Sequence, residues 1–185
     1  SGVQVGTEQA WRMTGDRGIA RANFINHLDR ENADFNEALS QVQATLGKRC
    51  VAVQMPIGAQ DSFKGIVDVI DGRAYLGDKG EEADVPSELA DDLAALRAAL
   101  AEAVAETDEE LLNKYLEEED LPDEDLRKGL VTGIVSGDIV PVYVGSGTKT
   151  FGVARFLDAV VETFPSPVQA AVRSGEGQSA LKADS

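Results

Sequence analysis

Apolar positions along this chain alternate between helical and strand spacing. Residues 2–16 carry a helical pattern (Val3, Thr7, Ala10, Trp11, Thr14), and 19–26 read as a strand. A helix is predicted over 32–46, with Phe35, Leu39, Val42 and Leu46 on one face and Gly47 as its stop. The texture then changes to short apolar runs at 50–57, 65–70 and 73–76, broken by glycines, with Asp71-Gly72 as a hairpin signal. A helix over 86–106 follows, with Leu89, Leu93, Leu96, Leu100 and Val104 on one side and carboxylates on the other. Pro86 and Pro122 both suit a first helical turn. Shorter helices at 108–118 and 122–135, a strand at 139–145 and a helix at 152–163 complete the pattern. The class is α/β: a β–α unit is interrupted by roughly 90 residues of different character and then resumed. Insertion at a surface connection costs little closure entropy, so a host fold tolerates one of this size. The expected division is 1–47 with 137–165 as host and 48–136 as insertion. The polar stretch 166–185, rich in Gly, Ser and Ala, is expected to be a linker to a following domain.

Two strand-ending loops carry candidate chemistry. Asn26-His27-Leu28-Asp29 closes the first strand, and Gly145-Ser146-Gly147 closes the last. Ligands of open α/β sheets bind at the C-terminal ends of strands. A fixed carboxylate at Asp29 can accept both the N1–H and the 2-amino group of guanine. Adenine would leave that carboxylate unpaired, at a cost of about 1–3 kcal/mol. A small residue at 147 would let its backbone N–H reach the guanine O6. The plainer alternative is a turn in which Asp29 caps the next helix. No Gly-x-x-x-x-Gly-Lys-Ser/Thr phosphate loop occurs, nor an Asp-x-x-Gly before the first helix to hold magnesium. The start at Ser1, running straight into a helical pattern, reads as a domain cut open, and this piece alone is expected not to hydrolyse GTP.

Charge is unevenly placed. Residues 81–125 hold 18 acidic side chains against Arg97 and Lys114, which accounts for the whole formal net charge of −16. Such a surface repels nucleic-acid phosphates, so direct RNA contact is not expected. It suits a basic protein partner, or it is a solvated face that maintains solubility. A lone cysteine, Cys50, reads as a small apolar strand residue in a reducing compartment. With no apolar run of membrane-spanning length and no secretory signal, the expected location is cytoplasmic, without membrane contact.

Several segments together resemble bacterial translation elongation factor G. They are Gly2-Val3-Gln4 with Thr7-Glu8 and Trp11-Arg12; Asn26 to Arg30 with Ala33-Asp34-Phe35; and Gln54-Met55-Pro56-Ile57-Gly58 with Phe63, Gly65 and Asp68. Residues 105–111, Lys114-Tyr115-Leu116 and 157–161 with Pro165-Ser166-Pro167 extend the resemblance to about 2–167. It implies the C-terminal half of a P-loop-GTPase-type sheet with an inserted α+β subdomain, called G-prime in that family. It further implies a ribosome-associated GTPase that acts in translocation. Asn26, His27, Asp29, Ser146 and Gly147 would hold the guanine of GTP or GDP; phosphate and magnesium contacts, and catalysis, would come from the other half. The acidic helix 86–106 would face the basic C-terminal domain of the ribosomal stalk protein. Two positions depart from the family pattern: His27 stands where Asn-Lys-x-Asp has lysine, and Gly147 where Gly-Ser-Ala has alanine. An imidazole can stack on guanine but spans less than a lysine stem; His27 as a plain surface residue is the alternative. These departures suggest a divergent paralogue. A module with a degenerate nucleotide site, docking a basic ribosomal protein, is the competing function.

Overall fold

The computed structural model describes residues 2–15 and 19–166. Most of the linker expected at 166–185 therefore lies outside the described residues. Helix α1 (Val5–Gly15) leads into strand β1 (Asn23–Ile25), then α2 (Phe35–Leu46) and β2 (Cys50–Ala52). An antiparallel meander follows: β3 (Gln54–Ile57), β4 (Gly65–Asp68), β5 (Arg73–Leu76) and β6 (Glu81–Ala83). Helices α3 (Ala90–Ala105), α4 (Glu109–Glu118) and α5 (Asp123–Ser136) precede β7 (Val140–Val144) and α6 (Val153–Thr163).

The architecture is the expected α/β, with a parallel sheet and a second, antiparallel one. In the parallel sheet β7 is central, ordered β1-β7-β2, with Ile25 opposite Val144 and Cys50 opposite Val140. All five β7 residues are buried, as a strand covered on both faces requires. Helix α2 begins three residues later than its apolar spacing suggested. Asp34 is its N-cap, accepting from the Glu37 N–H at 2.9 Å, and Phe35, Leu39, Val42 and Leu46 are all buried beneath it. Cys50 is fully buried, and that burial pushes its thiol up to about 11, which leaves it an unreactive apolar side chain at neutral pH.

The apolar run 50–57 is not one strand but two, in different sheets. Its change of partner falls at Val53. The Val53 N–H donates to Val142 O of the parallel sheet at 3.1 Å, while its carbonyl accepts from Val69 N at 3.0 Å on the antiparallel side. Strand β2, which follows the expected boundary at residue 48, pairs with β7 in the parallel sheet. Continuous apolarity gave no sign of this switch, because both sheets bury the strand.

Three helices cover the far side of the structure, with Leu100, Ala101, Val104, Leu126, Leu130 and Ile134 in one core with Val51, Val53 and Tyr143. Helix α3 starts at Ala90, after a 3₁₀ turn at Ser87–Leu89, rather than at 86. Its outward face differs from the acidic face expected. Asp91 and Asp92 lie exposed at one end and Glu102 at the other, with exposed Ala94, Ala95, Ala98 and Ala99 between. Strand β6, unforeseen because it is polar, closes the meander as an exposed edge.

Two charged clusters bind the layers together. Arg97 donates to Ile70 O at 2.6 Å and to Leu121 O at 3.1 Å, and pairs with Asp123 at 2.8 Å and Asp120 at 3.2 Å. The β4–β5 hairpin meets α5 and α6 through Asp68 and Asp71. Arg155 lies 3.5 Å from Asp68 and stacks over Tyr75 at 4.4 Å, while Tyr75 donates to Asp71 at 3.2 Å. Burial raises the Asp68 carboxyl above its ordinary range, and the nearby Asp71 charge adds to this, against the opposing pull of Arg155 and two backbone donors, Ile70 and Asp71.

Two outcomes follow for stability. Arg97→Ala leaves two buried-side carbonyls without their donor and should cost about 2–3 kcal/mol in urea unfolding, with Arg97→Lys recovering only part; a loss below about 0.5 kcal/mol would contradict the clamp. A raised folded-state pKa means the folded chain holds the Asp68 proton more tightly, so the penalty is absent at low pH and grows as pH rises through the folded pKa. Asp68→Asn keeps an acceptor for both backbone donors without the charge. It should gain on the wild type in thermal melts as pH rises from about 4 towards 7; a pH-independent difference would show that desolvation is not the governing effect.

Candidate functional site

Strands β1 and β7 run parallel and end level, so the loops that leave their C-terminal ends are neighbours although they lie far apart in sequence. Asn26 Oδ1 accepts the Gly147 N–H at 2.9 Å, a bond across 121 residues. The same oxygen accepts the His27 N–H at 2.7 Å. Two backbone donors on Oδ1 set the orientation of the carboxamide, whose Nδ2 can only donate. Further down, Gly145 N donates to Ile25 O at 3.1 Å and Leu28 N to Gly145 O at 3.4 Å, so the two loops are laced along their length.

Asp29 is half-buried, and its Oδ1 is shielded from solvent without a hydrogen-bond donor among the described residues. The hydroxyl of Ser146 holds the carboxyl below the usual carboxylate range, working against the burial; the Asp29 backbone, Lys149 and His27 pull the same way. An ionised carboxylate with a shielded oxygen that has no donor among the described residues can accept a further hydrogen bond. The capping alternative for Asp29 fails, since α2 is capped by Asp34.

Ser146 is fully buried. Its backbone N–H donates to Phe151 O at 3.0 Å, and its hydroxyl oxygen accepts from Lys149 N at 3.1 Å, which turns the loop back on itself. His27 adopts the left-handed backbone region, φ +64°, and its half-buried ring has Nδ1 shielded from solvent without a partner among the described residues.

Gly147 differs from expectation in one respect: the N–H expected to be presented outwards is engaged by Asn26. The space suits a small residue, as expected: a Cβ there would lie 3.6 Å from Asn26 Oδ1, an ordinary contact, so alanine fits as well.

Sequence reasoning did not find three contributors. Lys149 lies in the same loop as Ser146 and adds positive charge near Asp29; its position three residues on was a signal available in the sequence. Gln54, only 1% exposed, reaches Val144 N with Oε1 at 3.4 Å and supports the end of β7. Gln60 donates its N–H to Leu28 O at 2.7 Å, within the first loop. Gln54 entered the sequence reading only as part of the 54–58 segment, with no structural role, and Gln60 carried no motif. A groove of about 780 Å³ opens beside the site between α1, β1 and α2, lined by Trp11, Asn23, Ile25, Asn26 and His27 among others.

Among the described residues no helix is long and apolar enough to cross a membrane. The structure is similar to a crystal structure from Thermus thermophilus, at TM-score 0.82 and 35% sequence identity. That match covers 96% of this chain and 26% of the other, so the chain spans about a quarter of that protein. The architecture is thus a GTPase-like fold with an insertion. Residues 1–166 match the elongation factor Tu GTP binding domain. The chain belongs to this family, the guanine-nucleotide-binding domain of translational GTPases.

Proposed function

We propose that this chain is the guanine-recognising part of a ribosome-associated GTPase of the elongation factor G type, acting in the translocation step of protein synthesis. The observation that carries the reading is the shielded, unpaired Oδ1 of Asp29 beside the Asn26–Gly147 bond. Asp29 would accept guanine N1–H and the 2-amino group. Asn26 Nδ2 would donate to the acceptor edge of the base, and the His27 ring would lie against its face. Ser146 would hold Asp29 ionised, and Gly147 would back the base. At a shielded carboxylate oxygen, a base that cannot satisfy it is rejected by the cost of leaving it unpaired.

GTP phosphates and magnesium would be held by residues outside this chain, and no residue here is assigned a catalytic role. Among the described residues no group of three or more His, Cys, Asp or Glu side chains could hold a metal ion. Hydrolysis would be a property of the whole protein, which would work in the cytoplasm.

A docking function is supported by a separate observation. Both cations of the acidic segment are used internally: Arg97 in its clamp, and Lys114 between Asp125 at 3.1 Å and Glu110 at 3.3 Å. The other carboxylates of α3 and α4, Asp91 and Asp92 among them, are left facing solvent. The helix region 86–106 would dock the basic C-terminal domain of the ribosomal stalk protein, its alanine face allowing close approach between acidic ends. In a paralogue with a degenerate nucleotide site this docking would be the remaining function.

In the full-length protein, Asp29→Asn should shift preference from guanine to xanthine nucleotides, lowering GDP affinity by about tenfold or more in competition against fluorescent GDP. Unchanged guanine binding would sink the assignment. Charge reversal at Asp91 and Asp92 should weaken salt-sensitive binding to the stalk protein, chiefly through the association rate. Indifference to both salt and reversal would remove the docking reading.

A further inference from the structure

The two base-side loops do not rest only on each other. Both lean on one turn of the antiparallel sheet, residues 58–64 between β3 and β4. Gln60 at its apex sits at φ +56° and gives its N–H to Leu28 O at 2.7 Å; Leu28 lies between His27 and Asp29. Phe63, at its exit, is 2% exposed and packs its ring 6.0 Å from that of Phe151. Phe151 in turn accepts the Ser146 N–H. One turn therefore reaches Asp29 through Leu28, and Ser146 through Phe151.

The turn is built to be stiff. The Ser62 hydroxyl donates to Ala59 O at 2.7 Å and accepts from Ala59 N at 3.1 Å, closing the turn around Gln60. Gly58, at φ +76°, lies so near the Ser62 carbonyl that a Cβ would fall 2.3 Å from it. Lys64 N then returns to Ile57 O at 3.0 Å, where the β3–β4 ladder takes over. Behind it, Ile66 of β4 approaches Gly152, at the point where the second loop enters α6.

We infer that the 58–64 turn, through Phe63 and the Gln60 N–H, is the positioning element that sets the distance between the Asp29 carboxylate and the Ser146–Gly147 loop, and so sets selectivity for the 2-amino group of guanine. The inference rests on the guanine-binding reading of Asp29. These residues touch no nucleotide themselves; they act through Leu28 and Phe151.

The test compares GDP with inosine diphosphate, which lacks only the 2-amino group, by competition against fluorescent GDP on the full-length protein. The variants are Phe63→Leu, Phe151→Leu and the exposed Ser62→Ala, which loosens the turn without opening the core. Phe63→Leu should lower the GDP-to-inosine-diphosphate affinity ratio by about three- to tenfold, mostly through weaker GDP binding, with Ser62→Ala moving it the same way by less. The Phe63→Leu/Phe151→Leu double variant should lose little more than either single. Equal loss of both nucleotides in all three variants means a merely structural role and overturns the inference. Retained selectivity in variants that bind as the wild type does overturns it too. A wild type that does not distinguish the two nucleotides overturns the guanine reading itself, and this inference with it.

Discussion

Everything at the site depends on β7 lying between β1 and β2. It is the last strand of the parallel sheet in chain order, and it pairs with β1 on one side and β2 on the other, with an antiparallel sheet and three helices intervening in sequence. Closing so long a connection costs entropy that grows only slowly with its length. The pairing and burial of Val140 to Val144 offset it, each residue being shielded on both faces. Once β7 is placed, Asn26 and Gly147 become neighbours without further adjustment, because Ile25 stands opposite Val144 in the register. A slip of one residue would turn every β7 side chain to the other face and part the two loops.

Much of this was legible beforehand. The α2 face was read residue for residue, since a 3.6-residue period over twelve positions admits few alternatives. The two strand-end loops were legible because their residue types are demanding: a carboxylate and a carboxamide at fixed spacing, then a serine between glycines. What escaped was pairing, not composition. Val53 looks like any other strand residue, yet its N–H and C=O serve different sheets. Gln54 looks like a polar interruption, and is a buried support for β7. Side-chain periodicity reports which face is buried but not which backbone lies alongside. Strand β6 escaped for the opposite reason: an edge strand with exposed Glu81 and Glu82 has no apolar pattern to reveal it.

The acidic segment illustrates how charge counting and structure diverge. From the sequence, two cations among eighteen carboxylates look like slight neutralisation. In the fold they are drawn into internal contacts. Arg97 satisfies two backbone carbonyls as well as two carboxylates, so its work is to hold α3 to the β4–β5 turn and the start of α5. The field over the rest of the segment is therefore set by carboxylates that neither cation reaches. Such a field acts on encounter rate and partner choice more than on final affinity.

His27 brings backbone and chemistry together. Its left-handed conformation folds its own N–H back onto Asn26 Oδ1 at 2.7 Å, which, with the Gly147 N–H, orients the carboxamide. Histidine is among the non-glycine residues enriched in that region of backbone space, where asparagine and aspartate are also common. A long aliphatic side chain gains no such local preference. A histidine at position 27 therefore suits this left-handed turn better than a long aliphatic side chain would, and the turn itself fixes the geometry of Asn26. Gly147 works in the other direction, since alanine would fit the space and would remove conformational freedom from the unfolded chain. The two departures thus oppose each other: one steadies the first loop, and the other leaves the second dependent on the Ser146 hydroxyl and the Phe151 bond for its shape.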